Sequence, residues 1–112
     1  LPYLAFARDS GRLVGSVGLH RTDWDLPKTE VGYWIRTSET GRGYASEGVR
    51  ALSDWALHTL GAQRVELVTD ELNTGSRAVA ERCGFVLEGV HRNTMRAPDG
   101  RLSHSVVYAR LP

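Results

Sequence analysis

The sequence predicts an α/β (α+β) mixed-sheet sandwich with elements in the order β-β-β-α-β-α-β-β. Three observations carry this. Stretches rich in alternating apolar and β-branched residues open and close the chain in pairs, each pair joined by turn residues. One long stripe, Ala45, Val49, Leu52, Ala56 and Leu60, repeats at helical spacing in the middle. Glycines stand where both expected helices must stop.

The first strands are Tyr3–Arg8 and Leu13–His20, turned by Asp9-Ser10-Gly11-Arg12. Gly15 and Gly18 weaken the second strand and mark a bulge or a close backbone approach. A polar loop, Thr22–Lys28, leads to Thr29–Arg36, where Glu30, Gly32 and Trp34 point one way and Val31, Tyr33 and Ile35 the other. The long helix spans Gly43–Leu60, with Glu47, Arg50, Asp54 and His58 off its apolar stripe and Gly61 ending it in left-handed conformation. Arg64–Thr69 is a short strand with Val65 and Leu67 facing together. A second helix runs from about Thr74 to Cys83, capped by Asn73 and closed by Gly84. Strands Phe85–Met95 and Leu102–Arg110 finish the chain around Pro98-Asp99-Gly100. Hairpins at both ends and crossover helices between imply a mixed sheet with parallel pairing in its middle.

Composition narrows the function classes. The 112 residues are 41% hydrophobic and 24% charged, as expected of one globular domain covering 1–112. Fourteen basic against 13 acidic residues give a net charge of +1, with no electrostatic case for nucleic acid or membrane. No run approaches the roughly 18 apolar residues of a membrane span, and no signal-peptide pattern opens the chain. The single cysteine, Cys83, rules out an internal disulfide and a thiolate metal cluster, and suits a cytoplasmic location. His20, His58, His91 and His104 lack compact ligand spacing, so no metal is expected. The chain starts at Leu1, almost within a strand, which suggests that an N-terminal segment is missing.

Chemistry concentrates where the third strand feeds the long helix. A helix start leaves about four amides without intrahelical partners, and its dipole is positive there. Gly41 and Gly43 let an anion approach those amides, and Arg42 adds charge. A strand-to-helix turn with glycines for geometry alone is the reading this segment favours by itself. It is neither a Walker A loop nor a G-x-G-x-x-G fingerprint, because Ser46 holds the third glycine position.

Taken together, Glu30-Val31-Gly32-Tyr33-Trp34-Ile35, Gly41-Arg42-Gly43-Tyr44-Ala45-Ser46-Glu47, Arg64-Val65-Glu66-Leu67, Asn73-Thr74-Gly75-Ser76 and Cys83-Gly84-Phe85-Val86-Leu87-Glu88-Gly89 resemble the GCN5-related N-acetyltransferase (GNAT) superfamily. The pattern is most similar to its RimJ/RimL-like branch, which acetylates N-termini of ribosomal proteins. The resemblance implies the acyl-CoA N-acyltransferase fold lacking its N-terminal strand and helices. It also implies acetyl-CoA as co-substrate, with its pyrophosphate on Gly41, Arg42, Gly43, Tyr44 and Ala45. Thr40 departs from the basic or amide residue usual at the head of that motif. The family parts the strand before this turn from the next one. Trp34, Ile35 and Arg36 would then bond the pantetheine arm through their main chains, and Asn73 through its side-chain amide.

Acetyl transfer to an amine needs a neutral nitrogen, a polarised thioester carbonyl and a proton for the departing thiolate. Glu30, often acidic in the resembling family, is the candidate base; an ordinary strand carboxylate is the plainer alternative. The tyrosine acid of many members is replaced by Ala80. The resemblance instead offers Ser76 as acid, a position that a helix-capping serine would also explain. Met95 stands where relatives of the branch carry an assisting carboxylate. Cys83, Trp55 and Phe85 read as core, and His20, Arg21, Trp24 and Asp25 as a surface loop or an acceptor-pocket wall. The expected function is transfer of acetyl to a primary amine, a peptide α-amine or a polyamine or antibiotic amine. A non-catalytic acyl-CoA-binding module is the reading from another class, and a homodimer is left open.

Overall fold

The computed structural model describes residues 3–7, 13–35 and 43–112, with the backbone alone described for 3–7, 13, 14 and 35. Its elements are β1 (Tyr3–Ala7), β2 (Leu13–Asp23), β3 (Lys28–Ile35), α1 (Tyr44–His58), β4 (Arg64–Asp70), α2 (Thr74–Arg82), β5 (Val86–Arg96) and β6 (Leu102–Arg110). The predicted order is therefore the observed one.

All six strands form one sheet, ordered β1-β2-β3-β4-β6-β5. The β3–β4 pair is parallel, as an α1 crossover requires. The second crossover corrects the expectation of parallel neighbours, because β6 inserts antiparallel between β4 and β5. Both helices lie on one face of the sheet. There Val49, Leu52, Ala56 and Leu57 of α1 and Val79 and Ala80 of α2 meet Val17, Leu19, Val31, Val65, Leu67, Val106 and Tyr108 from the strands. Burial alternates along β4, with Val65, Leu67 and Thr69 inward, because the opposite face carries no helix among the described residues.

Local rules set the ends of the helices. Gly43 stands outside α1 as its N-cap at φ 82°, so the helix begins one residue later than expected. Gly61 has φ 81° and the Ala62 amide donates to the Ala56 carbonyl at 2.9 Å, which stops α1 two residues short of Leu60. Asn73 caps α2 by accepting from the Ser76 amide at 3.0 Å, and Gly84 at φ 86° follows its end.

Three further expectations need correction. Strand β2 runs on to Asp23 through a register shift after His20, with Arg21 at φ 51°. The polar loop is correspondingly shorter. Trp55 is 40% exposed rather than core, whereas Phe85 and Cys83 are buried as expected. Residues Arg8 and Arg36, expected at strand ends, lie outside the described residues.

Leu67 is 2% exposed at the centre of the sheet and faces both helices. Leu67→Ala should destabilise the protein by about 2–5 kcal/mol. Urea unfolding checks this through a lowered midpoint at unchanged slope; a loss below about 1 kcal/mol would place Leu67 outside the core.

Candidate active site

The sheet has an interruption at its middle. Strands β3 and β4 pair only at Lys28↔Arg64, Thr29↔Val65 and Glu30↔Glu66. Beyond that point β3 continues for Val31–Ile35, bonded on its other side to β2, and β4 continues for Leu67–Asp70, bonded to β6. Two strand edges thus face each other without a ladder between them. Trp34, half exposed, and the Ile35 backbone lie on the β3 edge.

Strand alternation presents different chemistry on the two faces of β3. On the face away from the helices, Glu30 lines an open cleft of about 730 Å³ together with Arg64, Glu66, Met95 and others. Its Oε2 accepts from His20 Nε2 at 3.0 Å and its Oε1 from Arg21 Nη1 at 3.4 Å. Successive residues of a regular strand point to opposite faces, but the bulge at Arg21 turns both His20 and Arg21 onto one carboxylate. Nearby, Arg64 bridges Glu66 at 2.7 Å and Glu88 at 2.6 Å, and the second bond holds the Glu88 carboxyl below its usual range.

The helix-side face carries Tyr33. Its hydroxyl donates to Ser76 Oγ at 3.0 Å, joining β3 to the first turn of α2. Burial is the main reason that the Tyr33 phenol is pushed up; the bond to Ser76 works the other way, and nearby Cys83 adds to the rise. Tyr33 is therefore held as a neutral donor. Ser76 is buried, and its hydroxyl hydrogen remains available because Tyr33 supplies the proton between them. The cap of α2 belongs to Asn73, whose Oδ1 is occupied while its side-chain NH₂ has no bond among those described. The Ser76 hydroxyl accepts from Tyr33 and makes no bond to a backbone amide among those described.

At the head of α1, Gly43 offers no side chain, and no side chain among the described residues caps the helix. The first intrahelical bond runs from the Glu47 amide to the Gly43 carbonyl at 3.0 Å, so the Ala45 and Ser46 amides precede the regular ladder. Arg82, not singled out by its sequence position, brings a guanidinium to this end by donating to Ser46 Oγ at 2.9 Å. Arg50 ties the same corner through the Arg82 carbonyl at 2.7 Å. The predicted residues Arg36, Gly41 and Arg42 lie outside the described residues.

The structure thus brings Glu30, Ser76 and Asn73 to the parted strands, and Gly43, Tyr44 and Ala45 to the helix start that follows β3. Tyr33 and Arg82 were missed. Alternation had already put Tyr33 opposite Glu30, but its partner lies 43 residues away and no local pattern signals it. Among the described residues no group of three or more His, Cys, Asp or Glu could hold a metal ion, and no helix is long and apolar enough to cross a membrane.

Comparison with known proteins gives consistent matches. Residues 1–86 match the family model described as "Acetyltransferase (GNAT) domain". The candidate ribosomal N-acetyltransferase YdaF of Bacillus subtilis (strain 168) is 36% identical over 101 residues, covering 90% of this chain and 54% of that protein. The ribosomal-protein-serine acetyltransferase of Escherichia coli (strain K12) is 33% identical over 88 residues, covering 78% and 48%. A crystal structure described as a "Probable acetyltransferase" superposes with a TM-score of 0.88 at 34% identity, covering 99% of this chain and 62% of that one. The chain spans about half the length of the curated relatives it matches.

Cys83 is 4% exposed, its Sγ donates to the Ser46 carbonyl at 3.3 Å, and burial pushes its thiol up. Raising this value disfavours the thiolate, so the native protein at pH 8 holds a neutral, inaccessible thiol. Iodoacetamide should label the folded chain at least about tenfold more slowly than the urea-unfolded chain, as followed by intact mass. Equal rates would mean that the α1–α2 corner is open.

Proposed function

The chain belongs to the acetyltransferase (GNAT) domain family, with the RimJ/RimL-like members, and on that footing we propose that it transfers acetyl from acetyl-CoA to a primary amine. The observation that carries this reading is the parting of β3 and β4 after Glu30 and Glu66, with a proton-accepting group on one face of the gap and a hydroxyl pair on the other. Such a gap suits an extended, amide-bearing arm whose polar groups complete two unpaired strand edges.

In this reading each residue has a definite task. The backbones of Trp34 and Ile35, followed by Arg36, bond the pantetheine amides, and the Asn73 side-chain NH₂ reaches the same arm from α2. Gly43, Tyr44 and Ala45, preceded by Gly41 and Arg42, receive the pyrophosphate at the positive end of α1. Arg82 supplies further positive charge beside Ser46. Glu30 draws off the proton that an ammonium must lose before attack, directly or through a group bonded to it. A main-chain amide of β3 polarises the carbonyl, and Ser76 gives its proton to the departing sulfur as Tyr33 passes its own to Ser76, leaving a phenolate that solvent reprotonates. The acceptor enters by the open cleft, and the sulfur leaves toward the helices.

For the acceptor, the names of the relatives support a ribosomal protein, and we read the acetylated group as its α-amine. The cleft's volume of about 730 Å³ is compatible with a peptide end.

Isothermal titration should show acetyl-CoA binding and ATP binding more weakly; the reverse order favours a general phosphate site. Ser76→Ala should lower kcat about 10²-fold or more while helix α2 stays capped by Asn73. A loss under about threefold removes Ser76 from proton transfer. Glu30→Gln should slow turnover chiefly near neutral pH with acetyl-CoA affinity retained, and an unchanged rate takes Glu30 out of the mechanism.

A further inference from the structure

The carboxylate assigned above as base is not the group best placed to meet an incoming amine. Each Glu30 oxygen already holds a donor, one from His20 and one from Arg21, and only 11% of the side chain is exposed. The imidazole of His20 is 41% exposed on the same face. An ionised carboxylate can only accept, so His20 Nε2 carries the proton of the 3.0 Å bond and Nδ1 presents its lone pair.

The ring is seated by design of the backbone beneath it. A Cβ at Gly32 would stand 2.6 Å from His20 Cε1 and 3.3 Å from Nδ1, so the imidazole occupies space that any other residue would fill. Gly32 lies two residues beyond Glu30 on the same face of β3, and Glu30 is the direct cross-strand partner of His20. The bulge that follows keeps Arg21 on the carboxylate rather than under the ring.

We propose that His20, floored by Gly32 and oriented by Glu30, is the group that takes the proton from the acceptor ammonium. This rests on the acetyl-transfer reading and deepens it. In the step, an N–H bond of the ammonium breaks and a bond from that proton to His20 Nδ1 forms. The nitrogen keeps the electron pair that will attack the thioester, and the positive charge passes to an imidazolium paired with the Glu30 carboxylate. Solvent at the exposed edge of the ring removes the proton afterwards. Glu30 then acts as a positioning residue and counter-ion. The charged groups facing the ring among the described residues are Glu30 on β3 and Arg21 on β2; Lys28, Arg64 and Glu66 line the cleft beyond them.

The test compares wild type, His20→Gln, Gly32→Ala and Glu30→Ala, following CoA thiol release from acetyl-CoA with spermidine and with a serine-initiated peptide across pH 6.5–10. At pH 7, His20→Gln should lower kcat about tenfold or more, with the KM for acetyl-CoA changed less than about threefold. The deficit should close as pH rises and the amine loses its own proton, which a merely structural defect would not produce. Gly32→Ala retains both His20 and Glu30, yet should show the same pH-dependent pattern. An imidazole N–H resonance protected from exchange should appear in the wild type and vanish in Glu30→Ala, which removes both acceptor oxygens. An active wild type with His20→Gln within about threefold, or with an equal loss at every pH, overturns this inference and leaves the transfer reading standing. A wild type that binds acetyl-CoA but releases no thiol with any amine overturns both.

Discussion

Strands β3 and β4 share three parallel pairs and then stop bonding to each other, and everything proposed for this site follows from that break. A strand edge left without partners is costly unless water or a ligand bonds to it. The break persists because each strand is secured elsewhere: β3 by six pairs with β2 from Gly15↔Ile35 to His20↔Glu30, and β4 by β6 from Val65 to Asp70. Val31, Val65 and Leu67 hold both strands on the helices. The gap is thus built into a rigid frame rather than produced by local loosening.

The period of two along β3 turns that gap into a site with two chemical sides. Glu30 looks into the open cleft and Tyr33, three residues on, looks toward α2, so a carboxylate and a phenol stand on opposite faces of one strand. Each side is then completed by a neighbour: His20 across the β2–β3 ladder, and Ser76 at the start of the helix that follows β4. The corner of Ser46, Arg82 and Cys83 fixes the two helices to one another beside the start of α1.

How much of this was legible in the chain depends on the range of the interaction concerned. The helical stripe from Val49 to Ala56, the stops at Gly61 and Gly84, the Asn73 cap and the Pro98–Gly100 turn rest on nearby residues, and all appear where their chemistry placed them. The position of β6 between β4 and β5 depends on contacts between distant segments, so local patterns led to parallel neighbours instead. Arg21 at φ 51° gave no warning, since only glycine, asparagine and aspartate commonly advertise that conformation. Trp55 lies three residues after buried Leu52, which made it look internal; a ring that large at the margin of the stripe stays partly in solvent. At the candidate site, Glu30 and Ser76 were singled out by resemblance alone. Their partners Tyr33 and His20 acquired meaning only once the strands were aligned.

The central claim is that the parted edges of β3 and β4 receive the arm of coenzyme A. A crystal structure of the protein with coenzyme A bound tests it most directly. The expected result is an arm running between Val31–Ile35 and Leu67–Asp70, with its diphosphate at the start of α1. Coenzyme A lying elsewhere, or strands zipped together along their whole length, would contradict it.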